Sequence, residues 1–258
     1  MAVKNYRYLK YEAKELTAWV TLARPPYNIM TIDMIVEMND LFQWLAIQAD
    51  VKAIVLQGED KIFSAGVDIS EHTAEKAYQM IDGFHEVFRN IVQMDKPVIA
   101  AVRGAALGGG CELAIFCDIV IAGESARFGQ PEIKVGIFPT MATIIFPRLV
   151  GRKRATELIL TGDIIDARQA ERIGMVNRVV PDAEVDDAVM QIVRKLSEYS
   201  APVIQIARKA IYSAYDAEFP VALQRVEDLY LNHLMSLEDP AEGLKAFIEK
   251  RKPVWKNR

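Results

Sequence analysis

At 258 residues, 51% of them hydrophobic and 26% charged, the chain can bury a substantial core as one large domain or as a domain with an appendage. A formal net charge of −4 offers no broad attraction to phosphate backbones, which argues against nucleic acid as a main partner. No apolar run approaches the roughly 20 residues that span a bilayer, and the opening Met1 to Arg7 lacks the apolar stretch of a secretory leader. The expectation is a cytoplasmic protein with no membrane partner.

Residues 17–23 read as a strand, and 31–47 show helical spacing of apolar side chains. Residues 52–56 form a short, mostly apolar strand. Ala77, Met80, Ile81, Phe84, Phe88 and Ile91 then recur at the three-to-four spacing of an amphipathic helix. A strand over 97–102, a short buried helix over 108–117 and a strand over 118–122 follow. This alternation makes the fold class α/β. Helical patterns near 152–160, 166–173, 183–199, 201–216, 220–236 and 240–250 dominate the remainder, interrupted by one strand at 175–180. Ala201-Pro202 marks the expected boundary, since proline restricts the residue before it and suits a helix start. The chain is therefore read as a core over 1–200 and a helical region over 201–258.

Several catalytic plans are absent: the sequence contains no G-x-S-x-G, no H-E-x-x-H and no phosphate loop ending in G-K-[ST]. Its three histidines, His72, His85 and His233, are scattered and read as surface or packed side chains rather than bases or ligands. No metal site is indicated. Cys111 and Cys117 are too few for a disulfide framework and have the apolar neighbours of buried thiols.

The run Gly104 to Gly110 does not fit G-x-G-x-x-G. It joins a strand to a helix, where backbone N–H groups are left without intrahelical acceptors and glycine lets a ligand approach. Tight helix–strand packing explains the glycines equally well. Glu112 heads the apolar stretch Leu113 to Cys117, where an ionised carboxylate is costly unless paired or exposed in a cleft. Glu132 follows in a stretch rich in turn formers, and alone carries little weight among 35 acidic residues.

Taken in order, three segments change that weight. Phe63-Ser-Ala-Gly66-Val67-Asp68, then Gly104 to Glu112, then Phe128-Gly-Gln-Pro-Glu132 resemble the two oxyanion segments and the second catalytic stretch of the enoyl-CoA hydratase/isomerase family, the crotonases. Leu160-Thr-Gly162, the Ala167, Ala170, Gly174 and Val176 pattern, and Ala246 to Pro253 fit the same family, so the resemblance covers nearly the whole chain. It implies a spiral of ββα units with a helical C-terminal oligomerisation region, in a homotrimer or homohexamer. It also implies an acyl-CoA thioester as partner, with no metal or redox cofactor because coenzyme A belongs to the substrate.

Carried over by residue, the amides of Val67 and Gly109 would form an oxyanion hole for the thioester carbonyl. Glu112 would activate water and Glu132 would exchange a proton with the α-carbon. Ala65, Gly66, Asp68 and Ile69 would lie along the bound substrate. Both carboxylates together favour hydration over double-bond isomerisation.

Two departures from the family pattern bear on the substrate. No lysine lies between Arg24 and Asn28, where many members meet a CoA phosphate, and Thr140 to Phe146 replaces a glycine-rich stretch. Phe138, Met141, Ile144 and Ile145 are therefore expected to wall the acyl pocket. With Asn28 to Asp33, these features resemble the cyclohexadiene-carbonyl-CoA hydratases of anaerobic aromatic degradation, which implies an alicyclic dienoyl-CoA substrate. The alternatives are a linear short-chain enoyl-CoA hydratase, an isomerase or thioester hydrolase on the same scaffold, and a non-catalytic acyl-CoA-binding oligomer.

Overall fold

Two short strands, β1 (Leu9–Lys14) and β2 (Thr17–Leu22), pair antiparallel with Leu9 opposite Leu22 at the start of the computed structural model. The structure describes residues 5–258, so residues 1–4, part of the stretch read for a leader, lie outside the described residues. Helix α1 (Ile32–Ala46) starts at Thr31, whose hydroxyl accepts the Met34 amide at 3.3 Å and so satisfies one of the free donors of the first turn. Strand β3 (Ala53–Gly58), helix α2 (Ala77–Gln93) and strand β4 (Val98–Val102) complete a repeating unit. Next come β5 (Ala105–Leu107), α3 (Gly109–Phe116), β6 (Ile119–Gly123), β7 (Arg127–Gly129), α4 (Ala142–Val150), α5 (Arg152–Thr161) and β8 (Ile164–Asp166). The chain then runs through α6 (Ala167–Arg172), β9 (Arg178–Val180), α7 (Val185–Ser197), α8 (Ala201–Ala214), α9 (Phe219–Asp228), a π-helical turn over Leu229–Leu234, and α10 (Glu238–Ile248).

The main sheet has the order β1-β2-β3-β4-β6-β9, parallel from β2 onward. Its central strands are apolar on both faces because helices cover both. Ile54 and Leu56 of β3, with Val98, Ala100 and Val102 of β4, point into the larger core cluster with α1, α2 and α3. The alternate residues Val55, Ile99, Ala101 and Ile121 point the other way, against Val185, Val189 and Val193 of α7. A second, three-stranded sheet, β5-β7-β8, stands beside the first.

That small sheet revises one expectation. The glycine run is not a plain strand-to-helix loop: it holds β5, which pairs in parallel with β7. The helix expected over 220–236 is likewise divided, ending as α-helix at Asp228 and widening into the π-helical turn.

The C-terminal helices are fastened through a buried cluster. Arg208 of α8 donates to Asp118 at 2.8 Å and to the carbonyls of Ile91 and Val92 at 3.0 and 3.2 Å. Asp118 also accepts from the Tyr212 hydroxyl at 2.8 Å and the Val98 amide at 2.7 Å. Beyond α8, Phe219, Leu231, Leu244, Phe247 and Ile248 are exposed in the single chain. Among the described residues no helix is long and apolar enough to cross a membrane.

Candidate active site

The two sheets meet at the loop 64–68, which the sequence fixes through buried polar groups. Ser64 is fully buried; its hydroxyl donates to Asn28 O at 2.7 Å and accepts from Gly66 N at 3.2 Å. Met30 N–H donates to Gly66 O at 2.8 Å and Asp68 N–H to Met30 O at 3.0 Å. This parallel bridge turns the intervening Val67 N–H to the opposite side, where Val67 borders a cavity. Gly109 borders the same cavity and is the first residue of α3, so its N–H has no intrahelical acceptor. A Cβ placed on Gly66 would lie 3.5 Å from Gly109 N, which makes the two peptides neighbours.

The cavity holds 730 Å³. It brings together Ala65, Gly66, Val67, Asp68, Ile69, Gly109, Glu112, Glu132 and Phe138, nine residues expected at the site from sequence. Met141 is elsewhere: with Ile144 and Ile145 it lines a second cavity, of 760 Å³, between α4 and α8. The expectation of a wall built by these three fails: their side chains turn to the second cavity because the start of α4 presents its backbone amides, not its side chains, to Glu112. Met80, Ile81 and Phe84 of α2 supply the apolar wall instead. Their helical spacing was legible, but nothing in it singled out the site.

Glu112 sits in the first turn of α3, only 3% exposed. One of its carboxylate oxygens accepts the Ala142 amide at 2.7 Å, and the Met141 amide also bonds to the group. Burial nevertheless pushes this carboxyl up to about 7; negative Glu132 adds to the rise, while the two amides oppose it. Glu132 lies on a 3-10 turn over Pro131–Val135 and is likewise raised to about 7 by burial. Behind it the fully buried Gln130, with its amide nitrogen turned to the carboxylate, donates to both oxygens at 3.2 Å. Gln130 was missed as a separate residue, although it falls inside the motif that marked Glu132.

At the mouth, Asp68 accepts from Ser70 N at 3.0 Å and Ser70 Oγ at 2.7 Å. These bonds hold its carboxyl below the usual range, with Arg24 contributing from 3.9 Å. Asp68 is thereby a cap for the following turn. Cys111 and Cys117 are buried free thiols that burial raises well above their ordinary value. No group of acidic, histidine or cysteine side chains suited to a metal occurs among the described residues.

Two carboxyls with neutral-range proton affinity, facing one cavity beside two unpaired amides, are the parts of a site that moves protons next to a carbonyl. Residues 12–258 match the profile of the enoyl-CoA hydratase/isomerase family, and the chain belongs to that family. A short-chain-enoyl-CoA hydratase of Clostridium acetobutylicum is 39% identical, over 98% of this chain and 99% of that one. A 2,3-dehydroadipyl-CoA hydratase of Escherichia coli is 35% identical, over 93% and 94%. Among solved structures, an enoyl-CoA hydratase from Bacillus anthracis superposes with a TM-score of 0.93 at 30% identity, covering 98% of this chain and all of that one, 100%.

Proposed function

We propose that the protein adds water reversibly to the carbon–carbon double bond of an enoyl- or dienoyl-CoA thioester. The observation that carries this reading is the pair Glu112 and Glu132, which line one cavity and are both pushed up to about 7. With the thioester oxygen held by the amides of Val67 and Gly109, negative charge that develops on it meets fixed donors, which stabilises the transition state more than the ground state. Ionised Glu112 takes a proton from water as its oxygen attacks the β-carbon, and protonated Glu132 delivers a proton to the α-carbon. Dehydration runs the same steps backward. The C=C π bond breaks as a C–O bond forms at the β-carbon and a C–H bond at the α-carbon; the proton gained by Glu112 is returned to Glu132 through solvent before the next turnover, and coenzyme A enters as part of the substrate.

The acyl group we propose is a compact alicyclic dienoyl ring. Its support is the apolar wall of Met80, Ile81, Phe84 and Phe138, against which a ring with few rotatable bonds loses little entropy on binding. A linear short-chain enoyl group is the second reading, favoured by the name of the Clostridium acetobutylicum relative. A homotrimer or homohexamer is the proposed assembly; the exposed Phe219, Leu231, Leu244, Phe247 and Ile248 of the C-terminal helices support it, because so many large apolar side chains left in water suit burial against a second copy.

The test is turnover of crotonyl-CoA and cyclohexa-1,5-diene-1-carbonyl-CoA, followed by mass spectrometry for gain of water. Hydration of neither ester, nor of longer linear enoyl-CoAs, overturns the hydratase reading. A kcat/KM about tenfold or more in favour of the linear ester overturns only the alicyclic one.

A further inference from the structure

We propose that His85, acting through Thr140, is a positioning residue for Glu112: the pair fixes the N-terminus of α4, whose backbone amides hold the carboxylate. The inference rests on the reading of Glu112 as the base of the hydration step.

The geometry is a short chain of contacts. His85 Nε2 on α2 lies 2.7 Å from Thr140 Oγ1. Thr140 is followed directly by Met141 and Ala142, the two residues whose amides bond to Glu112. The Thr143 hydroxyl donates to Thr140 O at 2.7 Å, and Thr143 N to Pro139 O at 3.2 Å, so Thr140 and the first turn of α4 move as one piece. That piece lacks a cap of its own: Met141 at the N-cap makes no side-chain hydrogen bond. Among the described residues, His85 is the only side chain outside the segment, apart from Glu112 itself, with a hydrogen bond to residues 138–143.

The chemistry suits a fixed tether rather than a proton carrier. Burial lowers the proton affinity of His85; nearby Arg89 lowers it further, and Asp82 opposes. A neutral ring therefore faces Thr140 at pH 7. The first turns of α4 bring no titratable side chain against it, and the charged neighbour of Glu112 across the cavity is Glu132. Loss of the tether frees the 138–143 segment, the amides withdraw, and ionised Glu112 loses hydrogen bonds that favour it.

The experiment compares His85→Leu, His85→Gln and Thr140→Val with the wild-type protein by thermal melting, steady-state kinetics and infrared titration of the Glu112 carboxyl. The carboxyl band is identified by its absence in Glu112→Gln. Expected in His85→Leu and Thr140→Val are a kcat lower by about 10–100-fold, a KM little changed, and a Glu112 titration moved to higher pH. His85→Gln, which returns a polar atom near the Nε2 position, is expected to reverse both effects. An unmoved Glu112 titration in folded His85→Leu and Thr140→Val overturns the proposal, as does a His85→Gln protein as impaired as His85→Leu. Full turnover by Glu112→Gln would instead overturn the base reading, and the infrared titration would still decide the tether.

Discussion

A Cβ on Gly108 would stand 2.7 Å from Oε1 of Glu132, nearer than a carbon and a carboxylate oxygen can settle. Gly108 also has φ of 53°, where side chains are strained. This glycine is thus what allows the second carboxylate to lie over the start of α3.

Gly108→Ala is expected to push Glu132 out of place without unfolding the protein, since the colliding atom is the end of a side chain. Hydration should slow by about 10–100-fold, with acyl-CoA binding preserved by calorimetry. Wild-type kcat in this variant would show that Glu132 need not sit there.

Activity should follow a bell-shaped pH profile with its maximum near neutrality, because the proposed mechanism has Glu112 ionised and Glu132 protonated for hydration. Acidification protonates Glu112, which burial holds at about 7, and removes the base; alkalinisation strips the proton from Glu132, also at about 7. Glu112→Gln and Glu132→Gln should each lose about 10²–10⁴-fold in kcat. Each should also flatten one limb of the profile, measured between pH 5 and 9 under saturating substrate.

The same elevation makes Glu112 costly to the fold at high pH. Its carboxyl rises from 4.5 to about 7 on folding, so the folded state holds more protons than the unfolded one in that window, and stability falls as pH climbs through it. Glu112→Gln is expected to be more stable than wild type at pH 8, by at most about 3 kcal/mol. The gain should shrink as pH falls from about 7 and approach zero only below 4.5, where both states are protonated; urea melts at pH 8 and below pH 4.5 check both magnitude and sign.

Gly109 is expected to separate steric from donor effects. Gly109→Pro deletes the amide donor and should reduce kcat by at least about 10²–10³-fold. Gly109→Ala keeps the donor but places a Cβ 2.7 Å from Val67 Cγ2 and 3.0 Å from Phe84 Cζ. If folded Gly109→Ala falls as far as Gly109→Pro, crowding rather than the lost N–H explains both.

Arg208→Met should be strongly destabilising, by about 3–5 kcal/mol, since it leaves Asp118 partly buried without its cation. Arg168→Ala breaks an exposed pair with Glu124 and should barely move Tm. Similar melting shifts in the two variants would contradict the assigned role of the Asp118 cluster.

Periodicity revealed the elements that bury a full face. The spacing Ala77, Met80, Phe84, Phe88 and Ile91 matches α2, and the apolar runs over 52–56 and 97–102 match β3 and β4. The three-residue strands β5, β7 and β8 escaped, because so short a segment has no measurable period and their pairing depends on partners distant in sequence. Helix α4 escaped for another reason: Pro147 interrupts it, and its residues looked like a pocket wall. The convergence of Glu112 and Glu132 is invisible in their spacing. It arises when β5 pairs with β7, which brings the segment after β7 beside Gly108 and puts Glu132 on the cavity that Glu112 lines.

Matched proton affinities in the two glutamates also bear on direction. A site with a strong base opposite a weak acid would favour one half of the cycle kinetically and idle in the other. Here both carboxyls are held near neutral pH, so at pH 7 the form with Glu112 ionised and Glu132 protonated and the reverse form are both populated, and the site is primed for either half of the cycle. Net flux through such a site is then set by the reactions that feed and drain it, and the same pocket serves a degradative or a synthetic route as the surrounding concentrations dictate.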